Sequence, residues 1–128
     1  MPDPLRIDVV TIFPAMLEGF LGESMLKRAA AMGAVRFQTI NLRAFTNDRH
    51  QTVDDRPYGG GPGMIMKAEP MFKAVEALRT PAARVILMSP QGRRFEQALA
   101  QELAAAQHLI FLCGHYEGVD ERISAALV

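Results

Sequence analysis

The stretch RVILMSPQGRRFEQALAQELAAAQHLIFLC, residues 84–113, decides the fold. It opens with RVILM (84–88) and closes with HLIFLC (108–113), two short, continuous apolar runs. Such runs suit strands buried on both faces, the habit of central strands in a parallel sheet. Between them Phe95, Leu99 and Leu103 recur at helical spacing and mark one face of an alanine-rich helix. Strand, helix, strand is the crossover that parallel neighbours need.

Outward from this unit, LRIDVVTIF (5–13) is rich in β-branched residues and stops at Pro14, which predicts a strand. Residues 15–32 carry Leu17, Phe20, Leu21, Met25 and Leu26 at helical spacing, with Gly33 as the stop. VRFQTIN (35–41) alternates apolar and polar positions, as a half-buried strand should. Regular periodicity is lost over residues 42–67 and returns as a helix over 69–78, with Pro70 suited to its first turn. The order β-α-β-loop-α-β-α-β predicts right-handed crossovers and helices on both faces of the sheet. The last ten residues, VDERISAALV (119–128), read as a helix cut short.

At 128 residues and 14.1 kDa, the chain suits one compact domain. Such a domain buries roughly two-thirds of its unfolded surface, enough for a core without staples. Apolar residues at 49% and charged residues at 22% exclude disorder, collagen and coiled coil. Lys plus Arg equals Asp plus Glu at 14 each, so no global basic field advertises a nucleic acid, and any polyanion site comes from local clustering. The single cysteine, Cys113, excludes an internal disulfide framework and a multi-cysteine zinc site. No apolar run reaches the ~20 residues of a membrane span, and the first residues lack a signal-peptide core. The expectation is a soluble intracellular α/β domain.

Three segments break their surroundings: DDRPYGGGPGM (54–64), SPQGRR (89–94) and GHYEGVDER (114–122). The second and third directly follow the two most buried strand candidates. Ligands of open α/β sheets bind beyond the carboxyl ends of the strands, so these two loops are expected to share one edge. Gly59, Gly60, Gly61 and Gly63 offer bare backbone that a planar or phosphorylated ligand can approach, or else a plain surface turn. No Gly-Lys-Ser/Thr follows, and G-x-G-x-x-G is unmatched, which disfavours a nucleotide triphosphatase and a dinucleotide-dependent dehydrogenase.

Arg43, Arg49, His50 and Arg56 make the middle loop locally positive, and Arg93 and Arg94 add two cations past a strand end. Arginine forks suit phosphate oxygens. Asp48, Asp54 and Asp55 interleave with the loop arginines, so RNA binding and a neutralised, solvated face stay equally open. Glu117, between Tyr116 and Gly118, suits a carboxylate that accepts hydrogen bonds from a base edge or takes a proton; it also suits a helix N-terminal acid. His50, His108 and His115 lack metal-ligand spacing. Cys113 closes an apolar strand with no base nearby in sequence and reads as a buried, inert thiol.

Taken together, DRHQTVDDRPYGGGPGMIMK (48–67), VILMSPQGRRF (85–95), LIFLCGHYEGVDER (109–122) and the opening IDVVTIFPAML (7–17) resemble one family closely. It is the bacterial tRNA (guanine-N1)-methyltransferases of the SPOUT superfamily. The resemblance runs along nearly the whole chain in order, and DDRPYGGGPGM is far more specific than a lone glycine motif. It implies a mostly parallel α/β sheet flanked by helices, with a trefoil knot near its C-terminal part. It also implies a cytoplasmic enzyme, an antiparallel homodimer, S-adenosylmethionine as methyl donor, and N1 of guanosine 37 in tRNA as acceptor.

Carried over residue by residue, the resemblance puts Pro90, Gly92 and Gly114 around the donor's adenosine. Tyr116, Glu117 and Gly118 line the donor and guanine side, with Glu117 assisting catalysis. Asp55, Arg56, Pro57, Tyr58, Gly59, Gly60 and Gly61 approach the target nucleotide. Mg2+ is a further expectation for the whole enzyme, although no motif provides a metal cage.

The family continues past the position of Val128 with a glycine-rich loop of the type IGDYVLTGGE, which completes the knot, and then with a helical tRNA-binding domain. The aspartate usually assigned as general base also lies beyond that position. The expectation is therefore an N-terminal methyltransferase portion at residues 1–128 with an incomplete knot, inactive alone. The competing expectation is a non-catalytic fragment that dimerises or binds RNA. A phosphate-binding regulator is the weakest reading, because phosphate-loop motifs are lacking.

Overall fold

The computed structural model describes residues 3–46, 49, 53–55, 65–89, 92–114 and 118–119, with 54–55, 65–66 and 118–119 described by their backbone pairing. Strand β1 (Leu5–Thr11) leads into helices α1 (Pro14–Leu21) and α2 (Ser24–Ala31), then strand β2 (Val35–Asn41) and a 3-10 turn at Leu42–Phe45. Two short strands follow, β3 (Asp54–Asp55) and β4 (Ile65–Met66), then α3 (Ala68–Leu78), β5 (Ala83–Met88), α4 (Gln97–Ala104), β6 (His108–Cys113) and the two-residue β7 (Gly118–Val119).

The main sheet has the order β2-β1-β6-β5, and every neighbouring pair is parallel. Strand β6 is central: Ile7 pairs with Leu109 on one side, and Arg84 pairs with the same Leu109 on the other. Leu109 and Ile110 point to opposite faces, yet both are buried, as are Val9 and Val10 in β1. Covering both faces is what allows these strands to be continuously apolar. Edge strand β2 alternates as its sequence predicts.

Helix α3 buries Met71, Ala74, Val75 and Leu78, spaced three and four residues apart along one stripe. In the core this stripe meets Val10, Val85, Ile110 and Leu112, which share one face of the sheet. Leu42 and Val53 complete the cluster, so the chain on either side of residues 47–52 is anchored in the core.

Three details differ from the sequence expectations. The single helix over 15–32 is two helices, broken where the Gly22 amide closes α1 onto the Glu18 carbonyl and Ser24 adopts φ 53°. Gly33 does end α2: at φ 78°, its amide donates to Ala30 and that of Ala34 to Ala29, the two bonds of a Schellman cap. Phe95 lies before α4 and is 69% exposed, so of the expected stripe only Leu103 is fully buried. The closing helix read over 119–128 lies outside the described residues from position 120 on, and Val119 itself pairs in β7.

Candidate functional site

Because all four strands of the main sheet run the same way, their carboxyl ends meet at one edge. The last registered pair of β5 and β6 is Met88 with Cys113. The next residues, Ser89 and Gly114, therefore leave adjacent strand ends side by side, as the motif positions predict. The Gly92 amide donates to the Ser89 carbonyl at 3.4 Å, which holds the two ends of SPQG together beside this edge. Among the described residues, a Cβ on Gly92 would meet only that carbonyl oxygen, at an ordinary 3.7 Å. Gly92 and Gly114 are both exposed.

A second, three-stranded sheet joins the other motifs. Strands β3 and β4 are antiparallel, with Asp55 opposite Ile65, and β4 pairs in parallel with β7, placing Ile65 beside Gly118 and Met66 beside Val119. Asp55, Ile65 and Gly118 thus form one row. The two ends of the glycine-rich excursion over 56–64 are held at this row, beside the segment that leaves β6. At its base the Lys67 amide donates to the buried Val53 carbonyl at 2.7 Å. Sequence reasoning missed this sheet because two-residue strands carry no periodic signal.

Of the expected site residues, the structure brings Gly92 to Gly114 at the main-sheet edge, and Asp55 to Gly118 across the small sheet. Pro90, Tyr116, Glu117, Arg56, Pro57, Tyr58, Gly59, Gly60 and Gly61 lie outside the described residues. Arg93, one of the two cations expected to suit phosphate, reaches Glu102 of α4 at 3.7 Å, and Glu102 also pairs with Arg84 at 3.1 Å. These exposed pairs contribute little to stability. Burial pushes the pKa of the half-buried Cys113 thiol up, which keeps it protonated and unreactive, as expected. Among the described residues, no group of three His, Cys, Asp or Glu is placed to hold a metal ion.

A cavity of about 460 Å³ opens at the opposite, amino-terminal edge of the sheet, lined by Arg6, Thr80, Gln107 and His108 among others. Among the described residues, none from the motif-bearing loops lines it. The carboxyl edge is the better candidate site, because Ser89 and Gly114, the first residues of two of the motifs, leave adjacent strand ends there.

Comparison with known proteins agrees with this placement of motifs. The family model described as tRNA (Guanine-1)-methyltransferase TrmD matches residues 5–128. The chain belongs to this family. Among its relatives, a tRNA (guanine-N(1)-)-methyltransferase of Moorella thermoacetica is 56% identical over 128 residues, covering 97% of this chain and 51% of the relative. One from Bacillus subtilis is 53% identical over 127 residues, covering 97% and 52%. The crystal structure of a tRNA (m1G37) methyltransferase from Aquifex aeolicus superposes with a TM-score of 0.84 at 38% identity, over 98% of this chain and 57% of that one. The α/β fold is therefore that of the family, and the chain spans about half the length of the curated relatives it matches.

The base of the small sheet gives a direct test. Lys67 has φ −68°, which proline adopts without strain, so Lys67→Pro keeps that backbone angle but replaces the donor with a ring carbon that the Val53 carbonyl must move away from, and Lys67→Ala controls for the lost ammonium. The proline variant is expected to lose about 1–3 kcal/mol in urea unfolding, the cost of a buried carbonyl left unpaired. Unchanged stability would mean that the 2.7 Å bond does not hold the excursion in place.

Proposed function

We propose that the protein carrying these residues transfers the methyl group of S-adenosylmethionine to N1 of guanosine 37 in tRNA, beside the anticodon. The observation that carries this reading is the convergence of SPQG and GHYEG at one sheet edge in a member of this family. The neighbouring strand ends fit a flat adenosine, because Gly92 and Gly114 present exposed backbone without side chains. In this reading Pro90, Gly92 and Gly114 hold the adenosine, with Tyr116 and Gly118 beside them. Asp55, Arg56, Pro57, Tyr58 and Gly59 to Gly61 receive the nucleotide. The β4–β7 pairing supports bringing these two sets together.

S-adenosylmethionine supplies a methyl group already activated on a sulfonium. The protein's task is then to align donor and acceptor and to accept a proton. Fixing both partners in line removes the orientational entropy that a collision in water must overcome. Guanine N1 carries a proton, which a base must take as the methyl arrives. Glu117 assists by accepting hydrogen bonds from the guanine edge. By the family resemblance the principal base and the loop that closes the trefoil knot lie beyond residue 128, as does the helical tRNA-binding domain. Nothing in the described residues favours a Mg2+ site, and no step here calls on one.

The same reading makes the protein a homodimer of the cytoplasm. In support, α1 and α2 bury none of their own residues, while Phe13, Met16 and Phe20 stand exposed at helical spacing with Met25 and Met32. An apolar stripe of this kind calls for a covering surface, and a second copy is the one the family resemblance implies. Among the described residues no helix is long and apolar enough to cross a membrane.

Labelled methyl transfer to tRNA with guanosine at position 37 tests the activity, using residues 1–128 joined to the C-terminal half of the Moorella relative. The joined protein is expected to turn over, and residues 1–128 alone to transfer negligibly. In the joined protein, Gly114→Val weakens donor binding. Glu117→Ala slows transfer by less than the roughly 10²–10⁴-fold that loss of a principal base costs. Full activity in both variants would overturn the residue assignments, and an inactive joined protein the function. For the dimer, sedimentation should show Phe20→Glu shifting a two-chain species to one chain at micromolar concentration; a parent that sediments as a monomer would contradict it.

A further inference from the structure

Strand β1 carries one carboxylate where its neighbours are apolar. Asp8 is fully buried, between Ile7 and Val9. Its Oδ2 accepts a hydrogen bond from Nε2 of His108, the first residue of β6, at 2.6 Å, and pairs with the Arg6 guanidinium at 3.0 Å. The other nitrogen of His108, Nδ1, is hydrogen-bonded to the Thr80 hydroxyl at 2.8 Å, in the turn between α3 and β5. His108 is itself only 3% exposed. One buried chain of polar atoms therefore ties together β1, β6 and the entry to β5, at the amino-terminal edge of the sheet.

The apolar pattern does not choose the register of these strands. Five consecutive apolar residues, LIFLC, follow His108 in β6, and Val9 and Val10 face them from β1. A slip of two residues keeps every side chain on its own face and still sets apolar against apolar. The polar pair does choose. Side chains alternate along a strand, so Asp8 and His108 share a face only when the offset is even. In the observed alignment, with Arg6 opposite His108 and Asp8 opposite Ile110, the imidazole reaches Asp8 and Thr80 at once. A slip one way takes the imidazole from a buried carboxylate, and a slip the other way sets it opposite Asp8 but carries it about 6–7 Å from Thr80; either leaves a buried polar group without its partner.

We propose that Asp8 and His108 are positioning residues that fix the register of β6 against β1 and, through it, the site at the far end of the sheet. Strand β6 delivers Gly114 directly and Gly118 four residues later, where it pairs with Ile65. A two-residue slip carries Gly114 about 6–7 Å along the strand, away from the Ser89–Gly92 turn. The pair selects one of several alignments of similar apolar fit. This is the registry role best attested for buried polar groups. The consequence for methyl-donor binding rests on the function proposed above; the register itself does not.

The test replaces both partners with apolar residues, Asp8→Val together with His108→Val, in the protein as a whole. Cross-strand nuclear Overhauser contacts and amide resonances of residues 109–114 are read by NMR. The expected result is a cooperative melt with Tm at or above the parent's, but more than one set of resonances for these residues. A single set with the parent's cross-strand contacts would overturn the proposal. Should the double valine variant not fold, the exchanged pair Asp8→His with His108→Asp decides: one parental register supports the proposal, and several registers overturn it. The conservative Asp8→Asn keeps an acceptor for Nε2 and is expected to restore one register. Donor affinity measured in parallel should fall in proportion to the native-register population. An unchanged affinity would count against the donor placement at Gly114 and not against the register result.

Discussion

Strand β6 is held between β1 and β5 in a parallel ladder, with both faces covered, and the remainder of the structure takes its position from that strand. Ile110 and Leu112 meet the α3 stripe on one face, and Leu109 is buried on the other. Each such side chain contributes about 1.5–3 kcal/mol on leaving water. Burial of this kind is strong but indifferent to direction along the strand. Hydrogen bonds of the ladder are equally indifferent, because every register offers the same backbone groups. His108, bonded at once to Asp8 and Thr80, supplies the discrimination that neither provides.

The carboxyl edge inherits its geometry from this arrangement. Parallel strands of similar length end together, so Ser89 and Gly114 emerge side by side without any contact between the two loops needing to arrange it. The small sheet adds the third motif by a different device. Val53 and Ala68, at the two ends of the excursion, both sit in the core, and the Lys67 amide closes its base. The described residues on either side of the glycine-rich segment are thus anchored in the core, and a scaffold held in this way can position functional loops. The amino-terminal edge, in contrast, has a cavity of about 460 Å³, with the strand-locking His108 and other described residues of no sequence motif lining it.

Much of this was legible in the residues, for identifiable reasons. Strands β2 and β6 have the predicted bounds because alternation and continuous apolarity are strong signals. Gly33 and Pro70 stand where their backbone constraints suit a helix end and a first turn. The break between α1 and α2 was hidden, because Leu21, Met25 and Leu26 maintain helical spacing across Gly22 and Glu23. Phe95 completed an apparent stripe although the helix begins only after Glu96. The pairing of β4 with β7 joins residues far apart in sequence through two positions each, which no local pattern announces. Asp8 carried a signal that was overlooked: an acid inside a β-branched run has to find a buried partner. Near the candidate site, Ser89 and Gly114 leave neighbouring strand ends, and Asp55 and Gly118 share the small sheet.

In the proposed function the methyl donor binds at the carboxyl edge, where Ser89 and Gly114 leave the sheet. Titrating S-adenosylmethionine into isotope-labelled protein and following its amide resonances tests this most directly. The prediction is that Ser89, Gly92, Gly114 and Gly118 shift together and saturate with one affinity, while Arg6, Thr80 and His108 at the opposite edge stay in place. Shifts confined to the amino-terminal cavity, with Gly92 and Gly114 unmoved, would contradict it.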